Sequence, residues 1–222
     1  MTALAQPTIE DGVAFERTWL DDRSWVDVAR GWLARADTLH ATLLEQAAWR
    51  QNRLWRYERW VDEPRVDASA RTEAGAPLDP VIPELSRALR RRYGVDLIGP
   101  GLAQYRDGRD GVAFHRDRDL RWLDDTVIAI VTLGERRPWL LRPRANRFAH
   151  ELPNKGATHD LSPAGGDLLV MGGACQAGWE HSVPQVRHRI GPRISLQWRW
   201  TSRRGRPVQG PSYRAPRNYS VG

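Results

Sequence analysis

The sequence predicts an α+β fold, with helices in the N-terminal part packed on one sheet of a β-sandwich, jelly roll or barrel. Three observations predict it. Apolar residues recur at helical spacing in residues 24–51 and 80–93. Beyond Gly99-Pro100 the texture changes to short strand-like runs. Gly, Pro and Asp clusters separate those runs, as in all-β cores closed by turns. The chain has 222 residues, 41% of them hydrophobic, which is enough for one sizeable core.

Taken in order, Trp25, Val28, Ala29, Trp32 and Leu33, followed by Leu39, Leu43 and Leu44, read as one or two amphipathic helices. Ile82, Leu85 and Leu89 fall on one face of a helix over 80–93, with Gly94 as its C-terminal cap. The strand-like runs are 102–105, 112–115, 126–133, 139–142, 167–171 and 194–200. Residues 1–202 are expected to form one domain with its β core over about 100–200. The Arg-, Pro-, Gly- and Ser-rich stretch 203–222 has no period and reads as a flexible basic tail.

Formal net charge is +7, and the basic residues are almost all arginine, Lys155 being the only lysine. A basic surface attracts polyanions, so nucleic acid is the first partner to consider, although a general arginine bias gives the same charge. Cys175 is the only cysteine, which excludes an intramolecular disulfide. No long uncharged apolar run predicts a membrane span, and residues 1–7 do not read as a signal peptide, so the expected location is the cytoplasm.

The sharpest local feature is Phe114-His115-Arg116-Asp117. Residues two apart in a strand point to the same side, so His115 and Asp117 can share one ion. His181, in Trp179-Glu180-His181-Ser182-Val183-Pro184, follows another strand-like run. Two imidazoles and one carboxylate on one face of an ion leave the other face open, the arrangement of non-haem Fe(II) oxygenases. A bare His-x-Asp pair is more often a solvated surface pair. In residues 193–199, Arg193, Ser195, Gln197 and Arg199 alternate with Ile194, Leu196 and Trp198. Two arginines on one strand face suit a ligand with two carboxylates, while a solvent-facing strand with surface salt bridges would show the same pattern.

The order of these pieces resembles the AlkB family of oxidative demethylases. The resemblance rests on Tyr105-Arg106-Asp107-Gly108, then His115-Arg116-Asp117-Arg118-Asp119, then His181, then Arg193 to Arg199. Gly165-Gly166-Asp167 leading to Met171 is similar to the strand before the family's distal histidine, and Pro64-Arg65 to an upstream Pro-Arg element. Three places depart from the pattern. Ala103 stands for an asparagine, Ser195 and Gln197 for an asparagine and a threonine, and Ala70-Arg71 for an aromatic-glycine pair.

The resemblance implies a double-stranded β-helix, that is, a jelly-roll core. It implies Fe(II) held by His115, Asp117 and His181, which are also the catalytic centre. It implies 2-oxoglutarate held by Tyr105, Arg193, Ser195 and Arg199, with Arg193 on the distal carboxylate and Arg199 on the one near iron. With O2 as co-substrate, 2-oxoglutarate is decarboxylated to succinate and CO2, and a hydroxylated N-alkyl carbon leaves the base as an aldehyde. The implied substrate is alkylated DNA or RNA, with the base flipped out or single-stranded. Asp119 matches the acidic residue that contacts the base, which favours cationic lesions such as 1-methyladenine and 3-methylcytosine. A substrate lid is expected over about 49–75, where Trp49, Trp55, Tyr57 and Trp60 offer stacking surfaces, Trp60 foremost. Arg142, with Arg116, Arg118, Arg121 and Arg144, could follow phosphates. The protein is expected to act as a monomer. Two alternatives share parts of this pattern: a hydroxylase of a protein or small molecule, and a nucleic-acid-binding module with an inactive pocket.

Overall fold

The computed structural model describes residues 6–56, 58–117, 120–144, 158–205 and 207–208. The first half holds β1 (Thr8–Ile9), β2 (Glu16–Trp19), β3 (Ser24–Ala29), β4 (Leu33–Ala34), α1 (Ala36–Gln46), β5 (Arg50–Arg56), β6 (Arg59–Ser69) and α2 (Val81–Tyr93). The second half holds β7 (Ile98–Tyr105), β8 (Val112–His115), β9 (Thr126–Gly134), β10 (Leu140–Pro143), β11 (His159–Asp160), β12 (Leu168–Gly173), α3 (Cys175–Gly178), β13 (Trp179–Val183) and β14 (Arg193–Thr201).

An eight-stranded antiparallel sheet runs β2-β3-β12-β9-β14-β7-β6-β5, and a four-stranded sheet runs β11-β10-β13-β8. Val26, Val28, Tyr105, Ile128, Ile130, Leu169 and Met171 of the large sheet pack with Leu141, Trp179 and Val183 of the small one. This is the jelly-roll core. The other face of the large sheet, through Ala129, Val131, Val170, Ile194, Leu196 and Trp198, packs against Leu39 and Leu43 of α1 and Leu85 and Leu89 of α2. Each such leucine contributes about 1.5–3 kcal/mol by burial. The expected placement of helices on one sheet therefore holds, and it explains why β9 reads as an unbroken apolar run: both of its faces are covered.

Local chemistry accounts for α2. Its four buried positions fall on one stripe, Arg90, Arg91 and Arg92 oppose the negative end of the helix dipole, and Gly94 closes it at φ 66°. The expected helical reading of 24–34 is corrected. Residues 24–29 form β3, paired with β12 from Leu168↔Ala29 to Gly173↔Ser24, and the helix begins at Ala36. Trp25, Val28, Ala29 and Trp32 fit a helical stripe, but Val26 and Val28 alternate with Asp27 just as well. Pairing with a distant strand decides between the two periods.

The expected lid region is a hairpin, β5–β6, added to the sheet edge through β6–β7 pairing at Val66↔Gln104 to Ser69↔Gly101. At the start of the expected tail the chain is still hydrogen-bonded to the domain: the Ser202 N–H donates to the Asp125 carbonyl at 3.0 Å and the Val208 N–H to the Arg121 carbonyl at 2.7 Å. Residues 206 and 209–222 lie outside the described residues. Among the described residues no helix is long and apolar enough to cross a membrane.

Candidate metal centre

His115 ends β8 and His181 lies in mid β13. The two strands pair at His181↔His115, which brings both imidazoles to the inner face of the small sheet, 4.3 Å apart between ring centroids. Asp117 lies just past the end of β8. Its Oδ1 is 3.8 Å from His115 Nε2 and 3.7 Å from His181 Nε2. One ligand atom from each of the three lies within 4.8 Å of the others, close enough to hold a metal ion.

Each member is held in place by neighbours. His115 Nδ1 lies 2.9 Å from the Ala113 carbonyl, which as acceptor places the proton on Nδ1 and leaves Nε2 free for a cation. The ring of Trp139, 2% exposed, stacks on His181 at 5.3 Å and 11°. Asp117 Oδ2 accepts from Arg199 Nε, and Arg199 Nη2 donates to Gln197 Oε1. The Asp117 N–H donates to Gln176 Oε1 at 2.7 Å.

Burial, with His115 next, pushes the His181 imidazole down to about 3 against the pull of Asp117, and burial lowers His115 as well. Burial alone would raise the Asp117 carboxyl, but Arg199 first and the two histidines after it hold it well below the usual carboxylate range. Neutral imidazoles and an ionised carboxylate are the state that binds a cation.

A second set of groups lies on the inner face of the large sheet. Tyr105, Thr132 and Arg193 come from adjacent strands, with Arg193 paired to Tyr105 on one side and to Gly134 on the other. Arg193 is 0% exposed. Its Nη2 donates to Thr132 Oγ1 at 3.2 Å, while Nε and Nη1 have no hydrogen-bond partner among the described residues. Burial pushes this guanidinium down to about 10, with Tyr105 opposing and Arg137 adding to it. Arg193 and Arg137 lie 5.7 and 5.5 Å from the Tyr105 ring centroid. Arg137 is committed to the carbonyls of Asp107, Asp110 and Pro184, whereas Arg193 carries only the Thr132 bond among the described residues. A buried cation without a carboxylate is costly unless a ligand supplies one, so the residues present fit a dicarboxylate. The polar face of β14 therefore turns inward, with Ser195 2% exposed between Arg193 and Gln197.

The structure thus gathers His115, Asp117, His181 and Arg199 in one cluster, and Tyr105, Arg193 and Ser195 on the adjoining sheet face. It does not bring Arg142 to them. Arg142 lies on the outer face of the small sheet, where Nη2 meets Glu180 Oε2 at 3.2 Å and Cζ sits 3.7 Å over Phe114. The strand alternation explains this, since its neighbour Leu141 pairs with His181 and points inward. Trp60 is 50% exposed near the turn of the β5–β6 hairpin, edge-on to Trp55 at 5.5 Å. Asp119, Arg118 and Tyr57 lie outside the described residues. Sequence reasoning missed Gln176 and Trp139. It noted Arg65, which sits beside the Tyr105 hydroxyl, only as part of a Pro-Arg element. No local spacing signals the first two, because each meets its partner from a distant part of the chain.

Comparison with known proteins agrees with this architecture. Residues 12–206 match the 2OG-Fe(II) oxygenase superfamily. The human protein named DNA oxidative demethylase ALKBH2 is 30% identical over 98 residues, covering 44% of this chain and 37% of the relative. A bovine relative named alpha-ketoglutarate-dependent dioxygenase alkB homolog 3 is 25% identical over 177 residues, covering 75% of this chain and 62% of its own. The chain thus spans less than two thirds of the length of either relative. Among solved structures, an oxidoreductase of the 2OG-Fe(II) oxygenase family from Burkholderia pseudomallei superposes with a TM-score of 0.52 at 14% identity, over 86% of this chain and 89% of that one. A prolyl hydroxylase from Trichoplax adhaerens, solved with a hypoxia inducible factor peptide fragment, superposes with a TM-score of 0.53 at 16% identity, over 78% and 81%. These two likenesses concern the fold. With the family match running through both sheets and the His-Asp-His cluster between them, the chain belongs to the 2OG-Fe(II) oxygenase superfamily, which uses Fe(II), 2-oxoglutarate and O2.

Proposed function

We propose that this chain oxidatively dealkylates N-alkylated nucleobases, such as 1-methyladenine and 3-methylcytosine, in DNA or RNA. The observation that carries the reading is the pairing of a cation site with an anion site on facing inner surfaces: the His115, Asp117 and His181 cluster, and the buried, uncommitted guanidinium of Arg193. His115, Asp117 and His181 would hold Fe(II). Arg193 receives the distal carboxylate of 2-oxoglutarate, helped by Tyr105 and Ser195. Arg199, oriented by Gln197, faces the carboxylate next to the metal while steadying Asp117. When bound, iron with 2-oxoglutarate and O2 supplies the oxidation that yields succinate, CO2 and a hydroxylated N-alkyl carbon, which is lost as an aldehyde. The rings of Trp139 and Tyr105 are buried in the core between the sheets beside these groups.

A nucleic-acid substrate is supported by the hairpin that flanks the site. Trp55 and Trp60 are 39% and 50% exposed there, and Arg59, the neighbour of Trp60 in β6, is exposed as well. Aromatic faces for bases and guanidinium groups for phosphates are what a single strand or flipped base requires. The name of the human relative, DNA oxidative demethylase ALKBH2, supports the same class.

The test measures O2-dependent succinate formation by the iron-loaded protein, with and without oligonucleotides carrying 1-methyladenine or 3-methylcytosine. Succinate that rises with the methylated strand, matched by released formaldehyde, is the expected result. Binding of 2-oxoglutarate without turnover on any nucleic acid would assign the site to a protein or small-molecule substrate. Absence of Fe(II) binding would overturn the reading and leave the inactive binding module.

A further inference from the structure

We propose that Gln176 is the positioning residue that sets the backbone of the proximal metal ligand, Asp117, and ties it to the segment carrying the distal ligand, His181. The inference rests on the metal-site reading above.

Asp117 is the least supported of the three cluster residues by secondary structure. His115 is the last residue of β8, and its strand pairs with β13 at His181↔His115, so the ladder stops two residues before Asp117. The Asp117 carboxylate side chain is 8% exposed, yet its backbone N–H has no sheet partner to fix the approach of the side chain. A buried N–H needs an acceptor. Gln176 supplies it through Oε1 at 2.7 Å, across 59 residues of chain.

Gln176 is itself well anchored. It is 1% exposed and lies on α3, the single helical turn that joins β12 to β13. That turn is fastened by the Ala174 N–H to the Arg23 carbonyl at 2.9 Å and by the Arg144 N–H to the Gly178 carbonyl at 2.8 Å. Immediately after it, Trp179 Nε1 donates to Asp21 Oδ2 at 2.6 Å. His181 follows Gln176 by five residues on the same fastened segment. The amide of Gln176 thus transfers the rigidity of the distal-ligand segment to the proximal ligand.

The rest of Asp117 is held by chemistry that a bound ligand also uses. Arg199 binds Oδ2 and would also face a cosubstrate carboxylate. The Leu120 N–H to Asp117 carbonyl bond, at 3.2 Å, is a local turn bond only. The amide of Gln176 is a long-range contact on Asp117 made through the backbone N–H, a group that neither a metal ion nor a cosubstrate carboxylate takes from Asp117 as a ligand atom. Gln176 Nε2 is buried and has no partner among the described residues, so the side chain is kept in place through its oxygen. A residue there purely for packing would need no amide.

The experiment uses Co(II) in the full chain, with ligand-field absorption reporting coordination geometry and titration reporting affinity, and calorimetry of the metal-free protein as a folding control. Gln176→Leu keeps the volume and removes the acceptor. It is expected to lower Co(II) affinity about 10- to 100-fold, the usual cost of losing an outer partner of a metal ligand, and to change the absorption. Gln176→Glu keeps an acceptor oxygen and is expected to retain the wild-type spectrum and affinity. A folded Gln176→Leu protein with wild-type affinity and spectrum overturns the inference, and so does a Gln176→Glu protein that loses as much as Gln176→Leu. Should Gln176→Leu fail to fold, Gln176→Met is read in the same way. A wild-type protein that binds no Co(II) instead overturns the metal-site reading, and this inference with it.

Discussion

Replacing Arg193 with Met should separate ligand binding from stability, because the two change in opposite directions. Arg193 is 0% exposed, and two of its three guanidinium nitrogens have no partner among the described residues. In the ligand-free protein this charge is a liability, since a buried cation without a counter-ion costs several kcal/mol. Methionine fills similar space without that cost. The metal-free, cosubstrate-free variant should therefore be at least as stable as wild type, with Tm higher by about 2–4 °C for each kcal/mol regained. Binding should suffer the opposite change. A bidentate carboxylate contact makes two charge-assisted hydrogen bonds of about 1.5–3 kcal/mol each. Losing both, about 3–6 kcal/mol, weakens 2-oxoglutarate binding by about 10²- to 10⁴-fold, at about 1.4 kcal/mol per factor of ten. Calorimetric titration of anaerobic Mn(II)-loaded protein with 2-oxoglutarate gives the affinity, and scanning calorimetry of the apo protein gives the stability. An unchanged Kd, or an apo variant that melts several degrees lower, would refute the assignment of Arg193 as a carboxylate receptor.

Three further outcomes are expected. Asp117→Ala and His181→Ala should each abolish metal-dependent succinate formation while leaving the far-ultraviolet circular dichroism of the native protein; full turnover in either purified variant would remove that residue from the cluster. Asp119→Ala should slow demethylation of 1-methyladenine and 3-methylcytosine while leaving substrate-independent succinate formation intact, and equal rates on matched oligonucleotides would exclude a base contact. Cys175 is 0% exposed, and burial, with Asp21 adding to it, pushes its thiol up to about 12, so it should resist thiol reagents in the native protein at neutral pH and react only on unfolding; rapid native labelling would contradict its packing role.

Local pattern was enough to find much of this protein. His115 and Asp117 are two residues apart at the end of a strand, α2 carries its own stripe and glycine cap, and β9 is apolar throughout. These signals depend on neighbours in the chain, so they are legible without the fold. The resemblance joined the distal histidine and the arginine strand, each already visible in the residues, into one ordered pattern. Where two periods fit equally well, as in residues 24–29, the sequence could not choose, because the choice depended on pairing with β12, about 140 residues away.

What the sequence by itself determined is which residues have the chemistry: two imidazoles, one carboxylate between them in reach, and a strand whose arginines share a face. Only the tertiary structure decided where those faces point. The alternation in β14 is the same for a solvent-facing strand and for one whose polar side lies between two sheets, and the second sheet settles it by burying Arg193 completely. The alternation in β10 likewise sends Arg142 outward to Glu180, away from the cluster. The supports of the cluster, Gln176 on Asp117 and Trp139 on His181, arise from contacts across 59 and 42 residues, and no spacing rule reaches that far. Side-chain type is a local property of the chain, whereas burial and partnership are set by what the rest of the chain packs against it.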